Sequence, residues 1–299
     1  MRLNPRIPPL GDVRIAHLNQ AVGVRAIREK TRPTRAFWWD LGPAVADVSP
    51  LRAVIFDLDG ALADIERDGH RVAFNAAFAA HGVDIAWTVE EYGRLLRIAD
   101  ERRRIAADLR NRGFGETADE LAAQLHRTKT ALFEDHILDG DVSPRPGLID
   151  LIMSLFVAGV WVAVVTSGRR SWAEPLVRQL VGDGLVETIV TADDGAGPRP
   201  EPETYELALW ELGIGPESAL AVGGSASGLR AASAAGLATV VVTTDYTADR
   251  DFSAAAAVRS AYDGDAPLLA AGCERLHRWW WTARKRSEIK SCAASRSPR

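Results

Sequence analysis

Cysteine is nearly absent: the 299 residues contain two, Cys273 and Cys292, both near the C-terminus. Two thiols in one tail give no disulfide framework, and their spacing fits no metal motif. A reducing cytosol is the expected compartment. Neither sign of charge dominates. Lys and Arg number 36 against 40 Asp and Glu, a net charge of −4, so no general attraction to nucleic acid is expected. A clean apolar run of membrane-spanning length is also missing. The longest candidate, residues 147–165, contains Asp150, Ser154 and Gly159 and changes period partway. It reads as a helix, a turn and a buried strand, not as a span. The first residues lack the charged start, compact apolar stretch and small-residue cleavage site of a secretory signal. What remains is ordinary globular material, 47% hydrophobic and 25% charged, enough for one or two domains.

Residues 1–50 are rich in Arg and Pro without a sustained period. With Trp38 and Trp39 they could form a contact surface, but a poorly ordered basic extension is expected. From Leu51 the pattern becomes regular. Short apolar runs at 52–56, 160–165, 186–190, 219–222 and 238–242 suit buried parallel strands. Helical stretches at 148–156, 171–180, 203–212 and 226–235 separate the later ones. That alternation predicts an α/β fold with a doubly wound parallel sheet covered on both faces. Residues 51–66 and 145–268 form the predicted core. Residues 67–144 are helical in composition. Val72, Phe74, Ala77 and Phe78 are expected on one apolar face, and Tyr92, Leu95 and Leu96 on another. Residues 269–299 form a basic tail with Trp279, Trp280 and Trp281, expected to be disordered or loosely docked.

Ligands of open parallel sheets bind beyond the C-terminal strand ends, so the residues after each strand carry the chemistry. The first strand runs into Phe56-Asp57-Leu58-Asp59-Gly60. In extended backbone, Asp57 and Asp59 point into the same space, where one carboxylate can attack phosphorus while the other exchanges a proton with the leaving group. Gly60 permits the tight turn that follows. A solvated acidic turn is the alternative. The second strand ends in Thr166-Ser167-Gly168, whose hydroxyl and N–H groups can hold phosphoryl oxygens or can simply fill a turn.

This loop, the helical insert and the later strand ends resemble the haloacid dehalogenase (HAD)-like hydrolase superfamily, specifically CbbY-type sugar-phosphate phosphatases with a helical cap. The likeness covers roughly residues 51–270 and is closest over 66–75 and 244–252. It implies a HAD-like core with an inserted all-helical cap and an aspartyl-phosphate mechanism. By resemblance Asp57 is the nucleophile, Asp59 the acid/base, and both serve Mg²⁺. Thr166 and a basic residue, here Arg199, would stabilise the phosphoryl group. Glu66, His70, Arg102, Ser167 and Gly168 would bind substrate, a small phosphorylated metabolite such as a pentulose bisphosphate.

Three positions depart from the family pattern. Arg199 stands where the family has a lysine, and its planar fork cannot reproduce a compact ammonium contact. The cap segment 100–104, Asp-Glu-Arg-Arg-Arg, replaces a loop with paired glycines. Most consequentially, Gly223 and Gly224 occupy the acidic pair that completes the family's Mg²⁺ site. Mg²⁺ requires oxygen ligands, so their loss puts the cation in doubt and predicts weakened activity. Asp193 and Asp194 could reach the gap or could form an exposed acidic turn. A non-catalytic relative that binds a phosphometabolite or a protein partner is the alternative. A nucleic-acid or membrane adaptor acting through the basic termini is the remote one.

Overall fold

Alternate residues of Ala53–Asp57, which forms β1, face opposite sides of a sheet, and all five are buried. Only a strand covered on both faces buries every position, as the uninterrupted apolar run predicts. The computed structural model, which describes residues 48–139, 142–194 and 201–295, places β1 near the centre of a parallel sheet. Its other strands are β2 (Trp161–Val165), β3 (Thr188–Val190), β4 (Ala219–Gly223), β5 (Ala238–Val242) and β6 (Ala257–Arg259). Their order is β3-β2-β1-β4-β5-β6. The short edge strand β6, which pairs with Val240–Val242 of β5, gave no periodic signal in the sequence.

Two hydrophobic layers cover the sheet. Val54, Phe56, Val162, Val164, Leu220 and Val222 pack on one side against α5 (Leu148–Val157) and α6 (Arg170–Val181). Ala53, Ile55, Ala163, Val165 and Ala221 pack on the other against α7 (Pro202–Leu212) and α8 (Ala226–Ala234). Each fully buried Phe, Leu or Val in these layers contributes about 1.5–3 kcal/mol.

Between β1 and β2 the chain leaves the sheet and folds into α1 (Arg71–Ala80), α2 (Val89–Leu95), α3 (Glu101–Asn111) and α4 (Ala118–His136). This insert has its own core around Phe74, Phe78, Trp87, Tyr92, Ile105 and Leu125. Phe74, Ala77 and Phe78 are buried as the period requires, but Val72 is half-exposed. Ala73 is buried instead, but against the sheet-side cluster and not in the insert's own core.

The C-terminal segment differs from its expectation. Ala270–Ser295 forms the helix α9, and its first turns dock on the sheet layer through Ala270, Cys273, Leu276 and Trp280. His277 is buried within that contact and bonds the carbonyl oxygen of Glu217 at 3.0 Å. Residues 270, 273, 277 and 280 repeat at helical spacing, a stripe hidden by the run of tryptophans and arginines. Among the described residues no helix is long and apolar enough to cross a membrane.

Candidate active site

The parallel register brings three strand ends together: Asp57 lies beside Val165, and Phe56 beside Val222. Thr166 and Gly223 therefore flank Asp57. The Asp57 carboxyl is buried, and desolvation pushes it up to about 7 against bonds from the N–H groups of Asp59 and Leu58. Asp59 accepts from the N–H groups of Ile65 (3.0 Å) and Glu66 (3.3 Å). Burial, and then the charges of Glu66, Asp57 and Asp64, raise it well above the usual carboxylate range. A carboxyl whose proton is held more tightly than usual is suited to donate it as a general acid.

Thr166 is buried, and its Oγ1 accepts from the Gly168 N–H at 3.0 Å, leaving the hydroxyl proton free to donate. A Cβ on Gly168 would lie 2.2 Å from the indole of Trp172, so only glycine fits beneath that ring. Ser167 is half-buried beside them. Arg199 lies outside the described residues. Asp193 and Asp194 do not approach the gap. Asp193 accepts from the Arg170 N–H at 2.8 Å, and Asp194 accepts from Thr191 and from the Arg170 guanidinium. They hold the start of α6 beyond β3, two strands from β1; the turn is half-buried and occupied.

On the other flank, Gly223 and Gly224 leave no side chain. A Cβ on Gly223 would meet only Asp57 Cβ, at 3.9 Å, whereas one on Gly224 would lie 2.6 Å from Gly60 Cα. Beyond them Ser225 caps α8 by accepting from the Gly228 N–H at 3.0 Å. A Cβ on Gly228 would lie 2.9 Å from Asp57 Oδ2 and 3.8 Å from the Tyr205 hydroxyl. Tyr205 is fully buried, and its hydroxyl has no hydrogen-bond partner among the described residues; the same holds for Thr204 Oγ1. Sequence reading missed Tyr205, whose only signal was its place six residues after Arg199.

The insert faces these strand ends with a paired polar network. Glu66 accepts from the Tyr92 hydroxyl at 2.5 Å, and Arg104 donates to the same hydroxyl at 3.1 Å. Lys129 is buried and donates to Glu101 Oε1 (2.6 Å) and His70 Nδ1 (2.9 Å). Burial, then the Lys129 charge, pushes His70 down to about 4, so its ring is neutral and accepts the lysine proton. His70 also stacks on Phe133 with centroids 4.2 Å apart, and Phe133 meets Trp172 edge-on at 5.2 Å. Glu66 and His70 thus stand between the insert and the core. Arg102 does not: it is exposed on α3, and Arg104, two positions on, is the buried arginine.

The donor set does not fit Mg²⁺. At the strand ends only Asp57 and Asp59 offer carboxyl oxygens, and no group of three or more His, Cys, Asp or Glu among the described residues could hold a metal ion. Mg²⁺ needs its few carboxylates placed around it, and here the side opposite Asp57 and Asp59 is closed by the Gly60–Gly224 backbone contact and bears no acid.

A family model for haloacid dehalogenase-like hydrolases matches residues 51–236. The chain belongs to that family. It is 40% identical to Protein CbbY of Cereibacter sphaeroides over 208 residues, covering 69% of this chain and 90% of that protein. To a CBBY-like protein of Arabidopsis thaliana it is 37% identical, covering 72% of this chain and 70% of that one. Among solved structures it is similar to CbbY from Rhodobacter sphaeroides in complex with xylulose-(1,5)-bisphosphate, an Asp-to-Asn mutant. The TM-score is 0.60 at 37% identity, covering 75% of this chain and 99% of that chain. The CbbY-type resemblance and the HAD-like α/β fold with an inserted helical cap therefore hold.

Proposed function

We propose that this protein is a phosphatase of low turnover that acts on a small sugar phosphate in the cytosol, with residues 67–144 as its cap. The observation that supports the reading is the register that sets Asp57, at the end of β1, beside the end of β2 just before Thr166, with Asp59 bonded by the Glu66 N–H in the turn that follows. In its ionised form Asp57 attacks phosphorus; an oxygen–phosphorus bond forms as the bond to the sugar oxygen breaks. Asp59 gives its proton to that leaving oxygen. The resulting Asp59 carboxylate then takes a proton from water, whose oxygen displaces Asp57 and releases orthophosphate. The Thr166 hydroxyl and the N–H groups of the following loop hold the phosphoryl oxygens, with Arg199 supplying charge. Ser167, Gly168, Glu66 and His70 border the ligand. Family phosphatases use Mg²⁺; no step here is routed through it, because the residues present do not form its site.

A second reading, a non-catalytic relative that binds a phosphorylated metabolite, is favoured by one observation: glycine at both 223 and 224. Orthophosphate release from xylulose 1,5-bisphosphate, phosphoglycolate and other sugar phosphates separates the two. Slow wild-type turnover that falls at least about 100-fold in Asp57→Asn is expected, since the nucleophile itself is removed. Wild-type release no faster than that of Asp57→Asn would establish the binding-only reading.

A further inference from the structure

Asp57 and Asp59 supply two carboxyls, but Gly223 and Gly224 put no acidic side chain opposite them. The turn after Asp59 is held by Gly60 at φ 79°, with its N–H bonded to the Ala63 carbonyl at 2.7 Å. Gly224 packs directly on that turn. A Cβ on Gly224 would lie 2.6 Å from Gly60 Cα, 2.8 Å from its carbonyl carbon and 3.1 Å from its oxygen. A Cβ on Gly60 would in turn lie 2.9 Å from Gly224 Cα. These are backbone atoms of two buried loops, so neither can step aside as the end of a flexible side chain would. Gly223 is different. Its Cβ would meet nothing nearer than Asp57 Cβ at 3.9 Å. The two glycines are therefore unequal: one leaves a vacancy beside Asp57, and the other is a contact.

We propose that this chain has replaced its family's divalent-cation site with a direct backbone contact between the Gly60 turn and the Gly224 loop, so that it takes a phosphate ester without a bound divalent cation. With no side chain at 224 the two loops meet, and their contact leaves no room for an acid there. The side chains agree: among the described residues no group of three or more His, Cys, Asp or Glu could hold a metal ion, and the Gly224 contact fills the side from which a further acid would reach. The ligand half of this inference rests on the proposed sugar-phosphate site; the cation half does not.

Three measurements on the full chain test it. Electron paramagnetic resonance of Mn²⁺ titrated into the protein is expected to show no cation whose binding is lost in Asp57→Asn; such a cation would overturn the inference. Calorimetric titration with orthophosphate is expected to give the same affinity, within about twofold, in Mg²⁺ or in EDTA. A gain of about 10-fold or more with Mg²⁺, the scale on which metal partners act, would overturn it. Absence of phosphate binding in both buffers would instead count against the sugar-phosphate reading, and the Mn²⁺ result would still decide the cation. Thirdly, Gly224→Ala and Gly223→Ala are compared by thermal unfolding. Gly224→Ala should lower Tm by roughly 4–10 °C through overpacking against backbone, while Gly223→Ala shifts it far less. Equal shifts for the two variants would remove the contact on which the argument stands.

Discussion

The cap and the strand-end mouth treat buried polar groups in opposite ways. In the cap, Lys129 is held by Glu101 and His70, and Arg104 by Tyr92 and the Ile98 carbonyl. At the mouth, the Tyr205 hydroxyl has no partner among the described residues, and two neighbouring carboxyls are forced upward by burial. A paired buried network specifies one arrangement, whereas unpaired buried groups cost stability and are kept where a ligand can use them. The difference teaches that the cap is complete without substrate and that the mouth is not. It also revises what Glu66 and His70 can do. Each is already engaged inside the cap, so a ligand that uses them must share or displace Tyr92 and Lys129.

Acid should separate the two regions most strongly. Asp57 and Asp64 are raised, to about 7 and about 6, chiefly by desolvation. Their folded values lie above the unfolded one, so the native state is favoured below pH 3.8 and loses that advantage as pH rises through 6 to 7. His70 has the opposite sign. Its folded value of about 4 lies below 6.5, so its contribution is present above pH 6.5 and is lost as pH falls to 4. Removing the mouth's charge by Asp57→Asn should stabilise the protein at pH 8 by about 2–4 kcal/mol, with no gain near pH 4. His70→Gln should flatten the acid side instead. Urea midpoints between pH 4 and 8 check both, and identical profiles for the two variants would dissolve the contrast.

Within the cap the sharpest test is Lys129→Met. It removes the buried member of a part-buried pair and leaves Glu101 with His126 and His70, at a cost of about 1–3 kcal/mol. Arg102→Ala, on the same face of the sequence motif but exposed, should change stability by less than about 0.5 kcal/mol. Both are read from denaturant unfolding. A loss for Arg102→Ala as large as that for Lys129→Met would place the network elsewhere.

Much of this was legible in the residues themselves. The run 53–56 announced a buried parallel strand because every position in it is apolar, and the Asp57, Asp59 and Gly60 spacing announced the turn beyond it. Lys129 was legible in principle: it sits on the stripe 118, 122, 125, 129, 133 and 137, where a lysine must find a buried partner. Arg102 was chosen over Arg104 because motif position says nothing about the rotation of a helix about its axis. The docking of α9 and the strand β6 were hidden because each depends on a surface made by distant residues. Nothing in the run from Gly223 to Ser225 states that one glycine is open and the other closed, since that follows from the approach of a loop more than 160 positions earlier in the chain.

The smallest effect concerns the mouth's own reserve. Tyr205→Phe deletes a buried hydroxyl that has no partner among the described residues. An unpaired hydroxyl carries its desolvation cost without return, so its removal should leave stability unchanged or raise it by about 1 kcal/mol. Had the hydroxyl been part of a network like that of Tyr92, its loss would cost a similar amount with the opposite sign. Orthophosphate affinity adds the functional half. If the phenol, which shares the space beside Gly228 with Asp57 Oδ2, is kept to order that carboxyl around a ligand, Tyr205→Phe should weaken binding while the free protein is no less stable. A variant that loses stability and keeps its affinity would show the mouth to be as complete as the cap.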